Sequence, residues 1–210
     1  MEEHRVLDVI KRILEHFPRR YEERDPFRVL ISTVLSQRTR DENTDKASKL
    51  LFEVFPDVYS LSRAEAHELH DLIRSSGMYR QKAERIVQIA RILVQKYGGR
   101  VPDNLEELVK LPGVGRKTAN IVLAVSYHRP ALAVDTHVHR ISNRIGLVKT
   151  KSPLQTEKQL TKIVPENLWA QINGPMVEFG RTVCLPRKPR CKICPLAGEC
   201  GYYKNLSTQK

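Results

Sequence analysis

The sequence lacks any apolar run that could cross a bilayer. Its longest apolar run lies near residues 121–127, whereas a membrane-spanning helix needs about 20 apolar residues. The N-terminus also lacks the basic and then apolar segments of a secretion signal, because Glu2, Glu3 and Asp8 stand there. We therefore expect a soluble intracellular protein that resides in the cytoplasm and does not associate with membranes.

Low-complexity linkers and internal repeats are also missing, and apolar residues rarely alternate with polar ones for long. Apolar residues instead recur at helical spacing, as in Val6, Val9, Ile10, Ile13 and Phe17. Composition gives no domain boundary, and the pattern predicts an all-α chain.

Several polar residues have the positions of helix caps. Asp25 precedes Pro26, Ser152 precedes Pro153, and Ser62 has an acid three residues later. Each arrangement is typical of a helix start, because a short polar side chain can accept a hydrogen bond from the first turn. The sequence thus predicts helices that begin at these three places.

Acidic residues are in the minority. Lysine and arginine total 36 against 24 aspartates and glutamates, which leaves a formal net charge of +12. A surplus of this size favours a polyanionic partner. Nucleic acid is the leading candidate, and an anionic membrane surface is the alternative.

The four cysteines, Cys184, Cys191, Cys194 and Cys200, are confined to one segment with the spacing C-x6-C-x2-C-x5-C. In a reducing compartment such a group indicates a metal site before disulfides. Four converging thiolates suit a tetrahedral zinc ion or a four-iron cluster, and spacing alone leaves both open, with zinc favoured by base rates. Basic residues without an intervening acid surround the cysteines and form either a solvated run or a second DNA-backbone surface: Arg181, Arg187, Lys188, Arg190 and Lys192.

A glycine-rich turn precedes an apolar helix in the middle of the chain. Residues 111–117 read LPGVGRK. Gly113 and Gly115 permit close approach of a ligand to the backbone, the N-terminus of the following helix favours a phosphate, and Arg116 adds a positive charge. An ordinary helix-connecting turn is the alternative, but the longer string resembles the helix-hairpin-helix that grips the DNA backbone without reading sequence.

Lys117 and Asp135 are the candidate catalytic residues. A lysine attacks only as the neutral amine, and burial near the positive end of a helix disfavours the ammonium form. The alternative for Lys117 is a phosphate-binding cation. Asp135 precedes a new helical pattern, so it is expected to cap that helix, and its carboxylate could also stabilise positive charge on a sugar ring.

Three motifs in this order resemble endonuclease III over nearly the whole chain: LPGVGRKTA at residues 111–119, VDTHV at residues 134–138, and the four-cysteine spacing. The resemblance implies two helical lobes, one of residues 19–129 and one of residues 1–18 with 130–210. It also implies that the cysteines bind a [4Fe-4S] cluster, which replaces the preference for zinc, and that Lys117 and Asp135 face each other across a cleft.

The resemblance further implies a monomeric enzyme that acts on double-stranded DNA with damaged bases or abasic sites. Lys117 would attack the sugar C1′, the oxidised pyrimidine would leave, and β-elimination would cut the strand. Loops at residues 36–39 and 76–79 would fill the gap left by the flipped base, with Gln37, Arg38 and Met78 as contact residues. Arg38 stands where relatives often carry glutamine, and Asp41 is expected near the lesion pocket or at a surface helix start.

Two other functions remain open from the sequence. A non-catalytic DNA-binding protein could use the same hairpin without cleaving DNA. A mismatch or purine-lesion glycosylase would keep the fold and change the base that is removed, although such relatives carry serine or tyrosine where this chain has Lys117.

Overall fold

The computed structural model describes residues 3–18 and 22–207, and within these ranges it contains α-helices and short 3-10 helices but no strand. The predicted all-α fold class is confirmed. The chain divides into two compact units, one of Glu23–His128 and one that combines Met1–Glu22 with Arg129–Lys210.

The unit of residues 23–128 contains seven α-helices in its sequence. They are α2 (Pro26–Leu35), α3 (Asp41–Val54), α4 (Val58–Arg63), α5 (His70–Ile73), α6 (Tyr79–Tyr97), α7 (Leu105–Leu108) and α8 (Arg116–Ser126). Two 3-10 helices, Ala66–Leu69 and Arg74–Ser76, flank α5. Helix α1 (Glu3–His16) precedes this unit and belongs to the other one.

The core of this unit forms where α2 packs against α8 and α6 packs against α4. These helices bury apolar residues at helical spacing, including Leu30 and Val34 of α2, Ile86 and Leu93 of α6, and Val122 of α8. Burial of each such side chain stabilises the fold by about 1.5–3 kcal/mol. The packing fixes the ends of α2, α6 and α8, from which the candidate DNA-binding loops extend.

In its described residues, 3–18 and 129–207 with Glu22, the other unit contains α1 and four α-helices from the C-terminal part of the chain. They are α9 (Thr136–Ile145), α10 (Pro153–Ile163), α11 (Trp169–Thr182) and α12 (Gly201–Ser207). Two 3-10 helices, Glu166–Leu168 and Cys191–Ile193, lie before α11 and α12.

Helix α1 completes the core of this second unit. Its apolar face packs with buried residues of α9 and α11, including Ile141 and Met176. The rings of Phe17 and Phe179 stack with centroids 4.6 Å apart. The N-terminal helix therefore shares one core with the C-terminal part of the sequence, although about 110 residues separate them.

Two of the three predicted helix starts are confirmed, and the third is wrong. The side chain of Asp25 accepts a hydrogen bond from Arg28 N, and that of Ser152 accepts one from Gln155 N. Ser62 instead lies inside α4, whose cap is Asp57. Because the Ser62 hydroxyl donates to Tyr59 O, it bonds a carbonyl of its own helix and not the amides of a following one.

None of the helices within residues 3–18 and 22–207 combines the length and the apolar character that a membrane crossing requires.

Candidate DNA-binding and catalytic site

The hairpin joins α7 to α8 through residues 109–115. Gly113 has a φ of 71°, a left-handed conformation that glycine adopts without the penalty of a Cβ atom. Val114 N donates to Leu111 O at 3.1 Å and closes the turn. Gly115 then forms the N-cap of α8 without a side chain to cap it, and Arg116 is the first helical residue. The helix-hairpin-helix geometry predicted from LPGVGRK is therefore present.

Lys117 is the second residue of α8 and is half-buried. The next eight residues of the helix, 118–125, are all buried. Lys117 is consequently held in the first turn of a packed helix, at the positive end of the helix dipole. Arg116 is exposed beside it, as a phosphate-binding residue needs to be.

Two loops of the same unit carry the expected DNA-contact residues Arg38 and Met78. Both residues have positive φ, 54° and 46° respectively, which is unusual for residues with a side chain and costs about 1–2 kcal/mol. Arg38 is exposed, and 46% of the Met78 surface is exposed. An apolar side chain displayed in this way is suited to insertion between bases.

Gln37 connects the first of these loops to the hairpin. Its side-chain Nε2 donates to Gly113 O at 2.9 Å. Gln37 therefore has a contact within the protein, while its neighbour Arg38 is exposed to solvent. Asp41 is the first residue of α3 and half-buried, so it lies at a helix start, where a carboxylate is stabilised by the helix dipole.

One residue of this region was missed by the sequence analysis. Lys82 of α6 is only 1% exposed, and its ammonium bonds to residues of both loops that carry the expected DNA-contact residues. A local signal exists, since Lys82 lies four residues before Ile86 on the apolar face of α6. A lysine is almost never fully buried, so the helical pattern alone predicts neither its burial nor its contacts.

Asp135 lies in the other unit and caps α9. Its Oδ1 accepts hydrogen bonds from His137 N and Val138 N, both at 2.9 Å. The predicted capping role is confirmed by these two bonds. The residue is half-buried, and the bonds hold the carboxylate in one orientation.

The four cysteines line one cavity, together with apolar side chains that include Phe179 and Leu196. Burial raises the pKa of the Cys191 and Cys194 thiols, and the neighbouring thiols raise both pKa values further. The thiols lie close together around the same cavity, and a cationic metal centre would favour their thiolate forms. The described residues contain no group of three or more His, Cys, Asp or Glu side chains placed to hold a single metal ion.

Two arginines of α9 fix the cysteine loop. Arg140 donates to Cys184 O at 3.0 Å, and Arg144 donates to Leu185 O at 2.7 Å and to Pro186 O at 2.8 Å. Arg144 Nη1 also lies 3.6 Å from Cys184 Sγ. The five basic residues of the surrounding run are all exposed: Arg181, Arg187, Lys188, Arg190 and Lys192.

Comparison with known proteins agrees with this arrangement. The model of the HhH-GPD superfamily base excision DNA repair proteins matches residues 31–166. The chain belongs to this superfamily. Endonuclease III of Thermotoga maritima is 65% identical over 199 residues, covering 95% of this chain and 93% of the relative, and endonuclease III of Bacillus subtilis is 40% identical over 84% of this chain and 81% of the relative.

Solved structures give the same result. A trapped covalent intermediate of endonuclease III with DNA has a TM-score of 0.91 and 38% identity, covering 99% of both chains. A thermostable thymine-DNA glycosylase has a TM-score of 0.83 and 26% identity, covering 97% of both chains. This HhH-GPD chain is thus an enzyme of the endonuclease III type, a base excision repair DNA glycosylase and abasic-site lyase that binds DNA.

Proposed function

We propose that this glycosylase removes oxidised pyrimidines and then cuts the strand through a Schiff base on Lys117. The observation that carries the proposal is the position of Lys117, half-buried in the first turn of α8 directly after the hairpin. Similarity to endonuclease III, including a relative with 65% identity, supports it. The damaged double-stranded DNA is bound by a monomer, and we place the enzyme in the cytoplasm with the nucleoid DNA.

In the proposed reaction the neutral Lys117 amine attacks the sugar C1′, and the C1′–N bond to the damaged base breaks. The base takes up a proton as it leaves, and the sugar ring opens to give a Schiff base between Nζ and C1′. Loss of a proton from C2′ then expels the 3′ phosphate by β-elimination. The Asp135 carboxylate stabilises positive charge on the sugar while the base departs.

DNA contacts are proposed from the positions of the exposed residues. The hairpin glycines Gly113 and Gly115, with Arg116, bind the phosphate backbone. Arg38 and Met78 occupy the gap in the duplex, Gln37 holds the Arg38 loop against the hairpin, and Asp41 lines the lesion pocket.

The test is trapping by borohydride on duplex DNA that contains thymine glycol. Borohydride reduces a Schiff base to a stable amine, so wild type should form a covalent complex and Lys117→Ala should form none. Lys110→Ala is the matched control, because Lys110 is an exposed lysine near the same hairpin. An equal yield of complex from Lys117→Ala would refute Lys117 as the nucleophile.

A mismatch glycosylase is the second candidate, favoured by Arg38 at the expected glutamine position and by the similarity to the thymine-DNA glycosylase. Mismatch relatives that resemble this chain carry tyrosine in place of Lys117, which argues against it. Duplexes with thymine glycol, uracil, a G·T mismatch or 8-oxoguanine separate the two candidates. Removal of thymine from G·T faster than removal of thymine glycol would support the second.

We also propose that the four cysteines bind a [4Fe-4S] cluster. The donor set consists of four cysteines that line one cavity, and four thiolates are the usual ligands of such a cluster. Similarity to endonuclease III supports the cluster over a zinc ion. The cluster would hold the basic loop in place. Protein purified without oxygen should be yellow-brown with about four irons per chain, and stoichiometric zinc without colour would refute the assignment.

A further inference from the structure

The Lys82 side chain is one of the largest that the described residues bury completely. Its ammonium donates to Leu35 O at 2.6 Å, to Thr39 Oγ1 at 2.7 Å and to Ser76 O at 2.6 Å. An ammonium has three protons, so these contacts use all of its donors. The acceptors are neutral oxygens, and burying a charge among neutral groups is costly. Such a residue needs an explanation beyond packing.

The three acceptors belong to two separate chain segments. Leu35 is the last residue of α2, and Ser76 is the last residue of the 3-10 helix Arg74–Ser76. Carbonyls at helix ends lack partners within the helix and carry the negative end of its dipole, so both can accept a bond from a cation. Lys82 therefore joins the C-terminal ends of two helices.

Each of these ends leads directly into a loop that displays one DNA-contact residue. Arg38 follows α2, and Met78 follows the 3-10 helix. The Thr39 hydroxyl, which accepts a bond from Lys82, also donates to Ser76 O. Lys82 and Thr39 thus form a direct bridge between the two loops.

The loops adopt conformations that need support. Arg38 and Met78 have left-handed backbones without being glycine, and strained residues of this kind persist only where the surrounding structure holds them. The bonds from Lys82 and Thr39 supply that restraint at neighbouring positions. The bond from Gln37 to Gly113 O continues the connection to the hairpin.

We propose that Lys82 is a positioning residue for engagement of duplex DNA: its ammonium ties the loop at residues 36–39 to the loop at residues 76–79, so that Arg38 and Met78 enter the duplex as one unit. The inference rests on the proposed function, in which these residues fill the gap left by a flipped base. Lys82 makes no contact with substrate in this scheme. Its contribution is required where a base must be replaced in a duplex and is dispensable on a single strand.

The first test compares an abasic site in duplex DNA with the same site in single-stranded DNA. Lys82→Met keeps the length of the side chain and removes the ammonium, and Lys49→Met removes an exposed lysine of the same unit. We expect Lys82→Met to lower kcat/KM on duplex by about 10-fold or more, because buried acceptors lose their partners, and on single-stranded DNA by less than about 3-fold. Lys49→Met should change kcat/KM by no more than about 3-fold on either duplex or single-stranded DNA.

A generally damaged protein would give a different result. If Lys82→Met lowers both activities by the same factor, the residue supports the fold as a whole and the inference is overturned. Thr39→Val is a milder variant that removes only the hydroxyl of the bridge. It should also lower kcat/KM on duplex more than on single-stranded DNA, but by a smaller factor. Thermal unfolding of each variant confirms that folded protein is assayed.

The second test needs no cleavage and separates this inference from the proposed reaction. A duplex carries tetrahydrofuran as a stable abasic analogue opposite 2-aminopurine, whose fluorescence rises when it is unstacked. Wild type and Lys49→Met should raise the fluorescence, and Lys82→Met should not at concentrations that saturate binding. Equal fluorescence from wild type and Lys82→Met would overturn the inference, whatever their activity on a natural abasic site. Wild type that unstacks 2-aminopurine in this duplex but does not cut duplex DNA at a natural abasic site would refute the proposed reaction alone.

Discussion

Asp135→Asn separates the two roles assigned to one carboxylate. In the wild-type protein the Asp135 Oδ1 accepts hydrogen bonds from His137 N and Val138 N, each at 2.9 Å. Asparagine retains an Oδ1 that can accept both bonds, and it caps helices about as well as aspartate. The charge interactions with the helix dipole and with Arg140 are lost, and the dipole interaction is worth about 0.3–1 kcal/mol. For a chain of this size we expect the melting temperature to fall by roughly 1–4 °C.

Activity should fall much further than stability. The carboxylate charge is proposed to stabilise the sugar as the base departs, and loss of one such electrostatic group costs about 100- to 1000-fold in rate. We expect this loss on thymine glycol, where the base must still leave. A preformed abasic site has no base to release, so cleavage there should decline less.

Asp135→Ala provides the matched comparison, because alanine removes both the charge and the cap. Its stability should fall by about 1–3 kcal/mol, or roughly 2–12 °C in melting temperature, while its base release should resemble that of Asp135→Asn. Thermal melting and single-turnover cleavage measure the two effects on the same samples. If Asp135→Asn releases thymine glycol within about 3-fold of wild type, the carboxylate is a helix cap and nothing more, and the proposed catalytic role is refuted.

Three further predictions concern the backbone, a buried charge and the cysteine loop. Gly113→Ala should destabilise the fold by about 1–2 kcal/mol in urea unfolding, because its φ of 71° is left-handed. Gly115→Ala, with a φ of −90° and open space around the added Cβ, should cost less, about 0.5–1 kcal/mol, since alanine is a poorer N-cap than glycine. A larger cost at Gly115 than at Gly113 would contradict the assigned turn geometry. Burial lowers the pKa of Lys82 to about 8, so between about pH 8 and pH 10.5 this lysine is protonated more fully in the unfolded chain than in the folded one. Over this range the free energy of unfolding of wild type should therefore rise with pH relative to that of Lys82→Met, by at most about 3 kcal/mol. A difference that does not change across the range would refute the lowered pKa. Arg144→Met removes the hydrogen bonds to Leu185 O and Pro186 O. It should lose the brown colour of the cluster to a chelator several-fold faster than Arg187→Met, a control variant at an exposed arginine of the same loop. Equal rates would show that Arg144 does not hold the loop.

Much of the helical framework could be predicted because its signals are local. The spacing of Val6, Val9 and Ile13 predicts a helix with one apolar face, and all three residues are buried in one core. Asp25 and Ser152 function as caps because a proline directly follows each of them and the backbone amide three residues on donates to its side chain. Ser62 failed as a cap since Asp57 begins the helix five residues earlier, and the pattern alone does not rank two competing starts.

The candidate site was predictable where glycine, lysine and aspartate stand in one short motif. Gly113 and Lys117 are in the arrangement that LPGVGRK predicts, since the hairpin is built from residues that are adjacent in sequence. The contacts of Lys82 were not predictable, because its acceptors lie 47, 43 and 6 residues away. Tertiary packing brings α2 and the 3-10 helix to this lysine, and a single sequence carries no record of that distance.

Hydrogen bonds link the two loops to the hairpin within the unit of residues 23–128. Lys82 bonds to both loops, Gln37 bonds to Gly113 O, and the hairpin leads into α8, which carries Lys117. Groups joined in one hydrogen-bond network respond to mutation non-additively. When the two loops move into the gap left by a flipped base, this network can transmit the change in their position to Lys117. The route predicts that Gln37→Ala, which leaves Arg38 and Met78 intact, changes the Schiff-base yield on duplex DNA more than on single-stranded DNA.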